Sequence, residues 1–205
     1  MRQIRRTFIK IGGEISVDFA NTVSREGDEA GRFRSWRDLV DFLELRGAVG
    51  RGEGTALRAM GERDARGCAA AFEQALELRA TVRAVLEALA GRRPLQARWV
   101  DAVNRALALG VGSARIARQG RGWRLDFAPV LGEPLRALAP IARSIADLIV
   151  RGSGARIRKC ANPRCILYFR DTSRTGRRRW CSMAVCGNRM KVAAHTRRHG
   201  RSRTA

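Results

Sequence analysis

Four of the five cysteines stand within 27 residues, as Cys160-x4-Cys165 and Cys181-x4-Cys186 with fifteen residues between the pairs. Two close thiol pairs joined by a hairpin-sized insert suit a tetrahedral metal site, because each pair offers two sulfurs from one turn and the insert brings the pairs together. Zinc is the expected ion, one per chain. It favours thiolate sulfur, and four sulfurs leave no open coordination position, so the site reads as structural. An iron–sulfur or redox use of the same thiols is the alternative. Cys68, alone at the start of an Ala-rich helix, reads as a small buried apolar residue. His195-x3-His199 has a finger-like spacing, but 29 residues separate Cys165 from His195, and both histidines read as non-ligands.

The basic residues around this cluster suggest a second chemistry. The chain has 205 residues, a net charge of +22 and a pI of about 11.7. Arginine is abundant throughout, so the distribution is more telling than the total. Residues 1–150 carry 25 basic and 18 acidic side chains, whereas residues 151–205 carry 16 basic side chains and one acid, Asp171. A polyanion is the expected partner of that end, nucleic acid first. No apolar stretch approaches the ~20 residues needed to span a bilayer, and the basic start lacks a secretory hydrophobic run. A cytoplasmic, nucleoid-associated protein with reduced thiols is expected.

The elements that must hold these residues follow from the patterning. "EISVDFANTV" alternates Ile15, Val17 and Phe19 and reads as a short strand. Asp18, Asn21 and Thr22 stand at its end, where local capping or, alternatively, a small-molecule site would use them. In "SWRDLVDFLELRG", Ser35 and Asp38 form a capping box ahead of a helix that stops at Gly47. A helical region runs from Thr55 to Ala90 with a break near Gly67. Another helix opens at Pro94 and continues through Leu107. "RIARQGRGWRLDF" reads as a hairpin, and a last large helix spans Leu135 to Ile149, kinked or split at Pro140. Glycines and serine at 151–155 suggest a linker, and the two parts are expected to separate there.

The fold class expected is mainly α with small β elements: a helical domain over 1–152, a small finger over 156–200 and a basic tail at 201–205. The finger is too small for a substantial core. Metal binding, worth on the order of 10 kcal/mol, is expected to be what folds it. "RIRKC" and "CILYFRD" suggest strands, "TSRTGRRR" a hairpin tip, and "SMAVCGNRMKVAAHTRR" a helix that starts between the third and fourth cysteines, in treble-clef-like order. A regular helix places Cys186, Met190, Ala193 and Ala194 on one face and Asn188, Lys191, His195, Arg198 and His199 on the other.

Residues 158–198, "RKCANPRCILYFRDTSRTGRRRWCSMAVCGNRMKVAAHTRR", resemble the CGNR zinc finger, whose name stands here as Cys186, Gly187, Asn188 and Arg189. "ISVDFANTV" followed by "FRSWRDLVDFLELRGAV" resembles the start of the ABATE domain that precedes that finger. The resemblance implies a regulator of transcription in bacterial stress responses, and implies DNA rather than RNA as the partner. Candidate nucleic-acid contacts are Arg177, Arg178, Arg179, Asn188, Arg189, Lys191, His195 and Arg198. Gly187, Asn188 and Arg189 could equally support the metal site. A ribosome- or RNA-associated zinc protein is the alternative binding reading. Nothing in the sequence carries a nucleotide fingerprint or a Ser-His-Asp order, so no enzyme is expected, a small-molecule-binding enzyme in the helical domain being the remaining alternative. The helical domain is expected to sense a ligand, mediate homodimerisation or both.

Overall fold

The computed structural model describes residues 10–23, 33–110, 112–119, 122–129 and 133–201, with backbone alone for the strands between 112 and 129 and for residues 197–201. The described residues are mainly helical, with two separate two-stranded antiparallel sheets among them. Helices α1 (Ile15–Ala20), α2 (Trp36–Leu45), α3 (Arg51–Arg63), α4 (Ala65–Ala90) and α5 (Ala97–Ala108) come first. Strands β1 (Gly112–Gln119) and β2 (Gly122–Pro129) follow, then α6 (Ala139–Arg151), β3 (Ile157–Lys159), β4 (Tyr168–Arg170) and α7 (Asn188–Arg201). Among the described residues no helix is long and apolar enough to cross a membrane.

Helix α4, 26 residues and about 39 Å long, is the axis of the core. Helices α1, α2, α3, α5 and α6 pack on it, and so does β3. Phe19, Phe33 and Phe42 are fully buried beside it, with ring centroids 5.4–5.9 Å apart.

The segment expected as a strand is the short helix α1. Its residues Ser16 to Ala20 are all buried, because α1 is wedged among α4, α6 and β4. Period-two alternation signals a strand only where one face meets water, and here no face does. A backbone bond ties the preceding segment to β4 instead: the Arg170 N–H donates to the carbonyl of Gly12 at 2.8 Å. Ser144 Oγ locks α1 to α6 by accepting from Ser16 N at 3.2 Å and meeting Ser16 Oγ at 2.9 Å.

Ser35 caps α2, accepting from Asp38 N at 3.3 Å, while Asp38 reaches back one residue further than a capping box requires, to Arg34 N at 2.8 Å. Gly47 ends the helix at φ 68°. The break expected near Gly67 falls at Asp64, whose side chain caps α4 through Gly67 N at 2.8 Å. A Cβ on Gly67 would lie 2.1 Å from Asp64 Oδ2, so that glycine serves the cap and does not stop a helix. Pro94 lies in the loop before α5, which opens at Ala97 after Gln96. Pro140 splits its helix as expected: Pro134–Leu138 is a 3-10 turn, and Pro140 sits in the first turn of α6. Residues 152–155 are not an extended tether. They form another 3-10 turn, and Ala155 is buried in the main core.

Candidate metal centre and basic surface

Strands β3 and β4 pair with Ile157 opposite Arg170, Arg158 opposite Phe169 and Lys159 opposite Tyr168. Successive side chains of a strand face opposite sides. Accordingly Tyr168 enters the helical core while Phe169 enters a second cluster with the four cysteines, against which Ile11, Leu167 and Trp180 pack. The ribbon is therefore a wall shared by the core and the thiol site.

Cys160 ends β3, donating its N–H to Leu167 O at 3.0 Å, and Cys165 closes the loop by donating to Asn162 O at 2.8 Å. Ala161 N donates to Arg179 O at 2.9 Å, tying the first cysteine loop to the second. Cys181 N approaches Cys160 Sγ at 3.4 Å. Ser182 then caps a wide turn, Met183–Gly187, in which its carbonyl accepts from both Cys186 N at 3.0 Å and Gly187 N at 3.1 Å. Gly187 stands in a crowded turn: a Cβ there would lie 2.4 Å from Met183 Sδ and 3.2 Å from the Trp180 ring.

The four Sγ atoms lie within 4.8 Å of one another, with Cys165–Cys181 at 3.7 Å and Cys181–Cys186 at 3.6 Å. A tetrahedron with Zn–S bonds of ~2.3 Å needs sulfurs about 3.8 Å apart, so this donor set fits such an ion. All four thiols are free and buried, with at most 6% exposure, which closes the site to substrate. Burial pushes the Cys165 and Cys181 thiols above their ordinary range. Burial also acts to raise Cys186, but hydrogen bonds, first that from Asn162, outweigh it and hold this thiol lower. Cys68 lies elsewhere in the helical core.

The chain's amino-terminal part and its finger each match a known family. The model described as "Putative stress-induced transcription regulator", ABATE, matches residues 13–152. The chain belongs to the ABATE family. The CGNR zinc finger matches residues 156–199 of this ABATE protein, which gives the arrangement of an ABATE domain ahead of a CGNR finger. No curated protein matches the chain. The four cysteines are thus positioned to bind a metal ion, and the finger family points to zinc.

Asn162 supports the centre and Asp171 the hairpin tip beside it, although sequence reasoning assigned neither a role. Asn162 is buried, accepts from Arg164 N at 3.0 Å and donates to Cys186 Sγ at 3.4 Å. The Asn-Pro pair inside the first cysteine loop was its available signal, since such pairs start turns. Asp171, fully buried, accepts from Ser173 N at 3.0 Å, Ser173 Oγ at 2.6 Å and Arg178 N at 3.0 Å, and pairs with Arg158 at 3.1 Å. Burial alone would raise its carboxyl, but these donors, Ser173 first, bring it below its ordinary value. This one acid of the finger holds the hairpin tip in place.

The expected nucleic-acid residues divide accordingly. Arg178 is turned inward: its guanidinium lies 4.3 Å from the Phe169 ring centroid, Nε donates to Trp180 O at 3.0 Å, and Nη2 donates to Cys181 O. Arg177 and Arg179 are exposed on either side of it, the latter 5.2 Å over the Trp180 ring. On α7, Asn188, Arg189, Lys191 and His195 are exposed. Arg198 lies in α7, but its side chain, like that of His199, falls outside the described residues. Ala193, expected on the packed face, is exposed; only Met190 and Ala194 are half-buried, in line with Cys186 at four-residue steps.

Asp18, Asn21 and Thr22 are buried, with their polar groups engaged inside the protein. Asp18 accepts from Ile11 N at 3.1 Å and Gly12 N at 2.7 Å and pairs with Arg46. Burial raises its carboxyl above the ordinary value, against the lowering effect of Gly12 N–H and Arg46. Thr22 donates to Phe19 O at 2.7 Å and receives Arg79 at 3.2 Å. Asn21 bonds to the finger.

Proposed function

We propose that this ABATE protein is a DNA-binding transcriptional regulator, not an enzyme, and that one structural zinc held by Cys160, Cys165, Cys181 and Cys186 fixes its binding surface. The observation that carries the reading is the exposure of α7. Every side chain from Asn188 to Thr196 is exposed except Met190 and Ala194, and the helix packs against the turn that carries Cys186. It is a basic helix that packs at its start against the turn carrying Cys186 and presents Asn188, Arg189 and Lys191 to solvent. Such a helix can enter the major groove of duplex DNA, which admits one; the major groove of A-form RNA is deep and narrow and does not.

Arg177 and Arg179 at the hairpin tip, with Lys191 and Arg198 on α7, supply phosphate contacts in this reading. Arg178 is withdrawn from that set by its internal bonds. Four neutralised phosphates give a slope of log affinity against log salt of roughly −3 to −4. Fluorescence anisotropy of the zinc-loaded full chain on labelled duplex, across a salt series and with structured RNA as competitor, tests it. Replacing Lys191 and Arg198 together by Glu should weaken binding to every duplex and flatten the slope. Unchanged affinity in that variant, or preferential displacement by RNA, refutes the DNA reading.

A further inference from the structure

The finger is built into the helical domain through backbone as well as side chains. Asn21, in the turn after α1, donates Nδ2 to Tyr168 O at 2.8 Å and accepts from Tyr168 N at 2.9 Å, so that its amide acts as an extra strand residue against β4. Arg83 of α4 donates to Ala20 O at 2.9 Å, reaches Ile166 O at 3.4 Å and lies 5.4 Å over the Tyr168 ring. The Tyr168 hydroxyl bonds to Glu87, which also meets Lys159 at 3.4 Å. Tyr168 is 2% exposed, and Ile157 joins it in the main core. On the opposite side of the ribbon, Ile11 packs on the cysteine cluster, and Asp18 of α1 holds Ile11 and Gly12 by their N–H groups.

We propose that the helical domain and the finger are one metal-dependent folding unit, in which Asn21 and Asp18 couple occupation of the four-cysteine site to the order of α1 and of the α4 face beneath it. Loss of metal frees the loops on both sides of β4. A short ribbon of three residues a strand, without its second wall, cannot hold Tyr168 in the core. Withdrawal of Tyr168 leaves the buried amide of Asn21 unpaired and a void over α4, and both effects act on the helical domain. The helical domain would thereby register whether the metal is present. This inference requires the metal of the proposed function but not its DNA target.

Hydrogen exchange of the full chain, zinc-loaded and then stripped by a chelator, tests the coupling, after metal analysis has established the stoichiometry of the loaded sample. Amides of residues 15–20 and 79–87 should lose at least tenfold in protection on stripping, whether or not the loss extends to α3. Asn21→Ala should bring residues 15–20 close to the stripped level while one zinc per chain is retained. Should that variant fail to fold, Arg83→Met, which lacks the donors to Ala20 and Ile166, carries the same expectation. Protection of residues 15–20 and 79–87 that is unchanged on stripping, while residues 160–187 lose theirs, overturns the coupling and leaves the metal and DNA readings intact. Metal-dependent protection of α1 as large in the folded variant as in the parent overturns the role of Asn21. A chain that takes up no metal overturns the coupling together with the zinc assignment.

Discussion

The side-chain amide of Asn162 donates to Cys186 Sγ at 3.4 Å, and it is the first of the hydrogen bonds that hold this thiol below its ordinary range while burial raises Cys165 and Cys181. The bond favours the thiolate, the form that binds metal. Asn162→Ala should therefore weaken zinc binding about 10- to 100-fold. Competition against a chelator of known affinity measures this. An unchanged affinity would show that Asn162 only shapes its loop, where it also accepts from Arg164 N.

Gly187 gives a packing prediction. A Cβ at this position meets Met183 Sδ at 2.4 Å and the Trp180 ring at 3.2 Å. Met183 is half exposed and can move, whereas Trp180 is packed against the cysteine cluster. Gly187→Ala should cost about 1–3 kcal/mol of finger stability, and pairing it with Met183→Ala should recover part of that loss. Thermal unfolding of the two zinc-loaded variants compares them. Equal stability of Gly187→Ala and parent would mean that the crowding relaxes without cost.

The metal site was legible in the sequence because its signal is local in each half: two thiol pairs, each within one turn. The caps were legible for the same reason, Ser35 reaching Asp38 across three residues. Residues such as Ile15, Val17 and Phe19 misled because alternation describes a half-buried strand, whereas this segment is buried on all sides. Asn21 defeated sequence reading altogether. Its partner lies 147 residues away and is a backbone, so nothing in the identity of Tyr168 advertises the contact. The small residues at 152–155 form a 3-10 turn whose Ala155 enters the core, a placement that a run of glycine and serine does not signal.

Proton release offers a third test. In the closed cluster burial raises Cys165 and Cys181 above the ordinary thiol value of 9.0, and a thiol freed into water keeps a value of about 8.5, so both hold their protons at neutral pH whether or not the metal-free loops stay closed. Zinc displaces them. Uptake at pH 7 should release about three to four protons, with Cys186, the lowered thiol, contributing any shortfall. The sign follows: apparent affinity falls as pH falls, because protons compete for the same sulfurs. Calorimetric titrations in buffers of different ionisation enthalpy count the protons. Release of one or none would mean that the thiols are already deprotonated before the metal arrives.

The three consecutive arginines at the hairpin tip give the sharpest contrast. Arg178 lies over Phe169 and donates to the carbonyls of Trp180 and Cys181, while its own N–H is held by Asp171. Arg177 and Arg179 are exposed. Arg178→Ala removes charge-assisted bonds of about 1.5–3 kcal/mol each and uncovers an aromatic ring, so it should destabilise the finger. Arg177→Ala and Arg179→Ala should leave the thermal midpoint nearly unchanged and each reduce the magnitude of the salt slope for duplex binding by about 1. Asp171→Asn should resemble Arg178→Ala, since it weakens the same tip without touching a phosphate contact. Thermal scans and anisotropy on one zinc-loaded set of variants separate the two classes. An Arg178→Ala protein as stable as the parent but deficient in DNA binding would return Arg178 to the binding surface and remove it from the fold.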